Sequence, residues 1–129
     1  MNQIHKFLAY WFPILLYCLL IFIQSSHPSP DITPHWPYVD KVLHFIAYAL
    51  LGALFLRAFK TTRIKHHLKL IFALSVLFSS LYGISDEIHQ SFVPYRTADV
   101  MDVIADILGS VFGVGVFLLW LKGYFKKNA

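Results

Sequence analysis

Residues 103–121, VIADILGSVFGVGVFLLWL, decide the fold class. A helix needs about 20 apolar residues to cross the hydrocarbon core, with about 17 as the lower limit. This run meets that length with Asp106 as its sole charge. Working outward, residues 7–23 carry no charge, residues 42–56 reach Phe59 through a snorkelling Arg57, and residues 70–84 gain length from Leu68 and Lys69. The spacing predicts membrane helices over about 7–24, 41–59, 68–87 and 100–121, an all-α integral membrane four-helix bundle in a single domain over residues 1–129. Composition agrees: the chain is 57% apolar and 14% charged, against about 45–50% and about 25% in soluble domains. Mean hydropathy is +0.60. The single cysteine, Cys18, lies in an apolar run and reads as packing. The run over 7–23 is too long for a signal-peptide core and no small-residue cleavage site follows it, so it is expected to stay as a helix, with a kink or local adjustment at Pro13.

Charge is sorted by end. Lys6, Arg57, Lys60, Arg63, Lys65, Lys69, Lys122, Lys126 and Lys127 lie at one end of the four segments; Lys41 and Arg96 are the only bases at the other. The positive-inside rule then puts both termini and the 61–67 loop in the cytoplasm, with the protein expected in the bacterial cytoplasmic (inner) membrane. Bases confined to helix ends, without a soluble basic face, argue against a nucleic-acid partner. All seven acids, Asp31, Asp40, Asp86, Glu87, Asp99, Asp102 and Asp106, fall at the outer end. Acids contribute little to insertion bias, so topology does not account for this sorting.

The acids sit in helical patterns with other polar groups. Lys41, His44 and Tyr48 follow i, i+3, i+7 and share a face, as do Asp99, Asp102 and Asp106. Asp40 and Asp102 also suit a positive helix N-terminus, with Thr97 or Asp99 as cap. Asp86 and Glu87 stand side by side at a helix C-terminus, opposed by the dipole and by each other. Asp106 lies about two turns inside, where a charge needs a partner, protonation or a wet cavity. Gly109-x-x-x-Gly113 is a close-approach motif, expected to serve packing ahead of dimerisation.

Three motifs in order, Asp40-Lys41-x-x-His44-Phe45-x-x-Tyr48-x-x-Leu51-Gly52, Asp86-Glu87-x-x-Gln90-x-Phe92-x-Pro94-x-Arg96 and Asp99-x-x-Asp102-x-x-x-Asp106-x-x-Gly109, resemble the VanZ-like family of small membrane proteins over about residues 20–118. The resemblance implies a link to low-level teicoplanin resistance and supplies no catalytic assignment. Tyr95 departs from a frequent glycine, implying a less sharp or differently shaped turn, and Asp106 from a common asparagine.

The leading expectation is a binding protein. An outward-facing pocket of Lys41, His44, Tyr48, Asp86, Glu87, Gln90, Arg96, Asp102 and Asp106 would engage a membrane lipid, a lipid-linked envelope precursor or an amphiphilic glycopeptide. In this reading Arg96 holds a phosphate or carboxylate, and Glu87, Asp102 and Asp106 orient the bases. An alternative is an intramembrane enzyme with His44, Asp86 and Glu87 as acid and base groups, or with a divalent ion on Asp86, His89 and Asp102. No zinc spacing or nucleophile motif is present, so no metal or cofactor is assigned. A structural scaffold of an envelope complex is the third reading. Short helices bury modest area, which leaves a homodimer open.

Overall fold

The computed structural model describes residues 1–28 and 38–129; Asp31 lies outside them. Four helices are long and apolar enough to cross a membrane: α1 (Gln3–Ser25), α2 (Val39–Phe59), α3 (Leu68–Gln90) and α4 (Val100–Lys127). The chain is thus a multi-pass, all-α membrane protein. Most helices overrun the apolar stretches that announce them. Hydropathy marks the membrane core, whereas backbone hydrogen bonding continues into polar residues wherever these have water or partners. At the start of α1, Asn2 Oδ1 accepts from the His5 N–H at 2.9 Å, a side-chain cap that extends the helix beyond its apolar run.

Pro13 has no N–H to give the Ala9 carbonyl. The preceding turn, Phe7–Trp11, winds as a π-helix, and Arg57 of α2 donates to that carbonyl from Nη1 at 3.1 Å. The guanidinium also lies 4.6 Å from the centroid of the Tyr10 ring. A freed carbonyl in lipid must be satisfied by a neighbouring helix, and Arg57 does this instead of only reaching for the membrane surface.

The most extensive interface joins α2 and α4. A Cβ on Gly109 would stand 2.2 Å from the Phe45 carbonyl oxygen, and one on Gly113 only 2.0 Å from that of Ala49. Two glycines four apart on α4 therefore meet two carbonyls four apart on α2, and a Cβ on Gly52 would stand 2.9 Å from a Val114 methyl. The close-approach motif is used inside the chain, between its own helices. α3 packs across this pair through hydroxyls: Ser79 and Ser110 share a hydrogen bond at 2.7 Å, and Ser110 also donates to the Asp106 carbonyl at 2.7 Å. α1 rests on α2 and α3. The buried apolar side chains form two small groups, Ile14, Tyr48, Leu51 and Ala58, and Leu56, Ile71 and Val114. Cys18 packs against the first of them. Leucines and phenylalanines cover the outside of the helices, as at Leu119, 69% exposed, as lipid contact requires.

The link from α3 to α4 turns at Val93–Arg96. The Arg96 N–H donates to the Val93 carbonyl at 3.2 Å, with Pro94 second and Tyr95 third at φ 64°. That is the arrangement of a type II turn, which favours glycine at the third position. The turn expected to be less sharp or differently shaped keeps a tight four-residue form, the tyrosine itself adopting the left-handed conformation at a cost of about 1–2 kcal/mol.

Gly113→Ala should force α2 and α4 apart and lower stability by about 1–3 kcal/mol or more. Gly123→Ala, whose Cβ would meet nothing within 4 Å, should not lower it and should raise it by up to about 1 kcal/mol through helix propensity. Thermal unfolding of the two variants in detergent checks this; equal melting temperatures would contradict the close approach.

Candidate functional site

The helix pairing brings the acidic residues together at one end. On α2, Asp40, Lys41, His44 and Tyr48 face Asp99, Asp102 and Asp106 of α4, and the C-terminal turns of α3 close the group with Asp86, Glu87 and Gln90. Asp99 caps α4, its Oδ1 accepting from the Met101 N–H at 2.8 Å; of the two cap residues considered, Thr97 and Asp99, it is the one used.

Lys41 is the cation of the cluster. Its Nζ donates to Asp99 at 2.6 Å, Asp102 at 2.8 Å and Asp40 at 2.9 Å. The ammonium holds the Asp99 carboxyl below the usual carboxylate range, helped by the Met101 N–H. With three donors spent on three carboxylates, Lys41 has none to spare for a phosphate.

His44 lies one turn deeper. Its Nδ1 stands 2.9 Å from Asp106 Oδ1, while Nε2 faces Asp102 Oδ2 at 3.6 Å and Glu87 Oε1 at 3.9 Å. Asp106 is fully buried. Its other oxygen lies where a Cβ on Gly83 would come within 2.7 Å, so the glycine makes room for the carboxylate. Glu87 accepts the Asp99 N–H through Oε2 at 3.0 Å. Glu87 Oε1 and Asp106 Oδ2 are buried without a hydrogen-bond partner.

Asp86 belongs to a separate network. Tyr48 donates to its Oδ2 at 3.2 Å and Gln90 at 3.3 Å. Ser25, from the end of α1, donates to Oδ1 and receives Gln90 Nε2 at 3.1 Å. Asp86 is thereby held as an acceptor with three donors, and its place beside Glu87 in the sequence does not put the two carboxylates to one use. His89 stacks on Phe22 with ring centroids 4.6 Å apart, so the trio Asp86, His89 and Asp102 does not assemble. His44, Glu87 and Asp102 do: one ligand-capable atom from each lies within 4.8 Å of the others.

Arg96 takes a different place from the one expected. Its guanidinium donates to the carbonyls of Gln24 and His27 at 3.3 and 3.1 Å, capping the end of α1. The carboxylates expected to orient it face Lys41 and His44. Sequence reasoning also passed over Ser25, which ties α1 to the cluster, and the bonding of Asp40 and Asp99 to Lys41. The scarcity of bases at this end was the signal for the latter. A groove of about 210 Å³ runs beside the cluster, lined by Glu87, Ser91 and Asp99 together with Ile88, Val100 and Val103. A larger cavity of about 450 Å³ lies at the basic end, between Lys6, Trp11 and Arg63, away from the acids.

Fold and cluster together define a small multi-pass membrane protein with a buried, acid-rich polar centre at one end of its helices. The VanZ/LLP1 profile matches residues 2–121: the chain belongs to the VanZ/LLP1 family. An uncharacterized protein of Schizosaccharomyces pombe is 32% identical over 92 residues, covering 70% of this chain and 54% of the relative. The chain spans about half the length of that curated relative. No solved structure gives a significant match.

Lys41→Met should destabilise the protein by about 1–3 kcal/mol or more, because buried Asp102 loses its cation. Adding Asp102→Asn should return part of that loss by removing the stranded charge. Denaturation of both variants beside wild type tests the coupling; losses that simply add would rule it out.

Proposed function

We propose that this protein binds the polar head of an amphiphile, a membrane lipid or a lipid-linked envelope precursor, at its acidic end. In a bacterial host this end faces outward from the cytoplasmic membrane, with both termini in the cytoplasm, as the charge sorting favours. The observation that carries the reading is the groove between α3 and α4. It sets Glu87 and Asp99 beside Ile88, Val100 and Val103, so one surface offers carboxylate acceptors to a head and apolar side chains to a tail. The head that suits it carries donors, such as hydroxyls, amides or an amine. A bare phosphate suits it poorly, since Lys41 is occupied by three carboxylates and Arg96 by two carbonyls.

A role in teicoplanin-type resistance follows if the glycopeptide or its lipid-linked target is the amphiphile. An enzyme reading retains His44 and Glu87 as facing groups, while Asp86 serves as a bonded acceptor. We propose no nucleic-acid partner. A homodimer would use a surface other than Gly109 and Gly113, which α2 covers.

Two measurements test the proposal. Native mass spectrometry of gently extracted protein should show a co-purified amphiphile, and Val103→Trp, which fills the groove, should reduce its occupancy at least about tenfold, equivalent to about 1.4 kcal/mol. Unchanged occupancy would sink the groove as the site. In a teicoplanin-sensitive host the wild type should raise the inhibitory concentration, and Glu87→Gln at matched membrane abundance should not. No protection by either protein would separate this chain from the resistance role.

A further inference from the structure

One ligand-capable atom each of His44, Glu87 and Asp102 lies within 4.8 Å of the other two. With Asp106 ionised, His44 Nδ1–H donates to it at 2.9 Å and the neutral ring keeps its lone pair on Nε2. The Nε2 lone pair then points at Asp102 Oδ2 and Glu87 Oε1, 3.6 and 3.9 Å away. These separations are too long for hydrogen bonds, and Glu87 Oε1 is buried and unpartnered in a residue only 5% exposed. Three electron-pair donors held this way call for a cation at their centre.

The geometry points to a divalent transition-metal site with His44 Nε2, Glu87 Oε1 and Asp102 Oδ2 as ligands. Ligands at about 2.0–2.2 Å from a tetrahedral metal stand roughly 3.4 Å apart, so the two imidazole-to-carboxylate separations need to contract only slightly. The surroundings are those of a metal-binding imidazole: Asp106 receives the proton of the other ring nitrogen and fixes the ring, the carboxylate–histidine–metal relay of many sites. Lys41 on Asp102 Oδ1 and the Asp99 N–H on Glu87 Oε2 hold the two carboxylates by the oxygens that would not ligate. One imidazole with two carboxylates suits zinc or manganese and disfavours soft metals. Three protein ligands leave a position open, and the adjoining groove is lined by Glu87 itself. The site stands on this convergence, independently of the amphiphile reading. Where both hold, the metal offers an electrophile to the head.

The test uses the full chain purified in detergent, stripped with chelator and titrated with Zn²⁺ or Mn²⁺ alone, with no lipid added. Calorimetry and elemental analysis after dialysis should give one ion per chain, and X-ray absorption should report nitrogen and oxygen ligands that include one imidazole. Glu87→Gln and His44→Gln should each weaken binding at least about tenfold. His66→Gln, altering an exposed histidine in the 61–67 loop away from the cluster, should leave it unchanged. Absence of saturable binding by folded wild type would overturn the site. So would wild-type affinity in both Glu87→Gln and His44→Gln, which would assign the ion to surface histidines. Should a variant fail to fold, the absorption spectrum of the loaded wild type decides alone: a shell lacking imidazole, or holding several, refutes the assignment. Because no amphiphile is present, a failure here leaves the groove's test untouched, and the reverse is equally true.

Discussion

Everything at the acidic end depends on how closely α4 lies against α2. The absence of side chains at Gly109 and Gly113 lets α4 sit on the Phe45 and Ala49 carbonyls, and this contact fixes both depth and rotation. One turn further along, the same register sets Lys41 between Asp99 and Asp102, and His44 against Asp106. The pairing does not determine the register alone. Lys41 is long and flexible enough to find carboxylates from several positions, whereas a Cβ within about 2 Å of a carbonyl is forbidden outright. Small residues choose the geometry, and the charged residues exploit it.

The interior follows from the solvent outside. Lipid tails are as apolar as leucine, so burying apolar surface does little to draw membrane helices together. The chain spends its leucines and phenylalanines on the exterior and fills much of the helix contact with groups that bond across it. Ser79 and Ser110 link α3 to α4, Tyr48 reaches Asp86, and Ser25 ties in α1. Arg57 plays the same part toward the basic end, where it supplies the donor that Pro13 lacks. Polarity is graded along the bundle, with ion pairs at one end, hydroxyls in the middle and apolar packing around Leu56, Ile71 and Val114.

Much of this was legible in the residues. Hydropathy located the four helices, the sorting of charge distinguished the two ends, and helical spacing put Lys41, His44 and Tyr48 on one face and Asp99, Asp102 and Asp106 on another. What spacing cannot give is which faces meet. Asp86 and Glu87 are adjacent in the chain yet serve different networks, because consecutive residues on a helix point about 100° apart. Arg96 looked like the partner of the acids because bases are few at that end. The tight turn at Val93–Arg96 carries it instead to the carbonyls of Gln24 and His27, at and just past the end of α1. Ser25 carried no signal, since a serine after an apolar run reads as an ordinary helix end.

Asp106 shows most plainly what the site is balanced for. Either aspartate or asparagine at this position offers an oxygen to His44 Nδ1, so the ring would be held in the same tautomer by both. The position beside Gly83 is likewise open to either side chain. What the aspartate adds is a titratable group at full burial. With Asp40, Asp86, Glu87, Asp99 and Asp102 nearby, Lys41 is the one ammonium the described residues bring into the cluster, and its bonds go to the carboxylates nearest the membrane surface. The deeper carboxylates, Glu87 and Asp106, each keep an oxygen without a donor. A buried charge is tolerated when something compensates it, and here the compensation is needed where Nε2 of His44 faces two carboxylate oxygens. The excess of acid at depth and the direction of that lone pair are two aspects of one electrostatic arrangement, and both favour a cation between His44, Glu87 and Asp102.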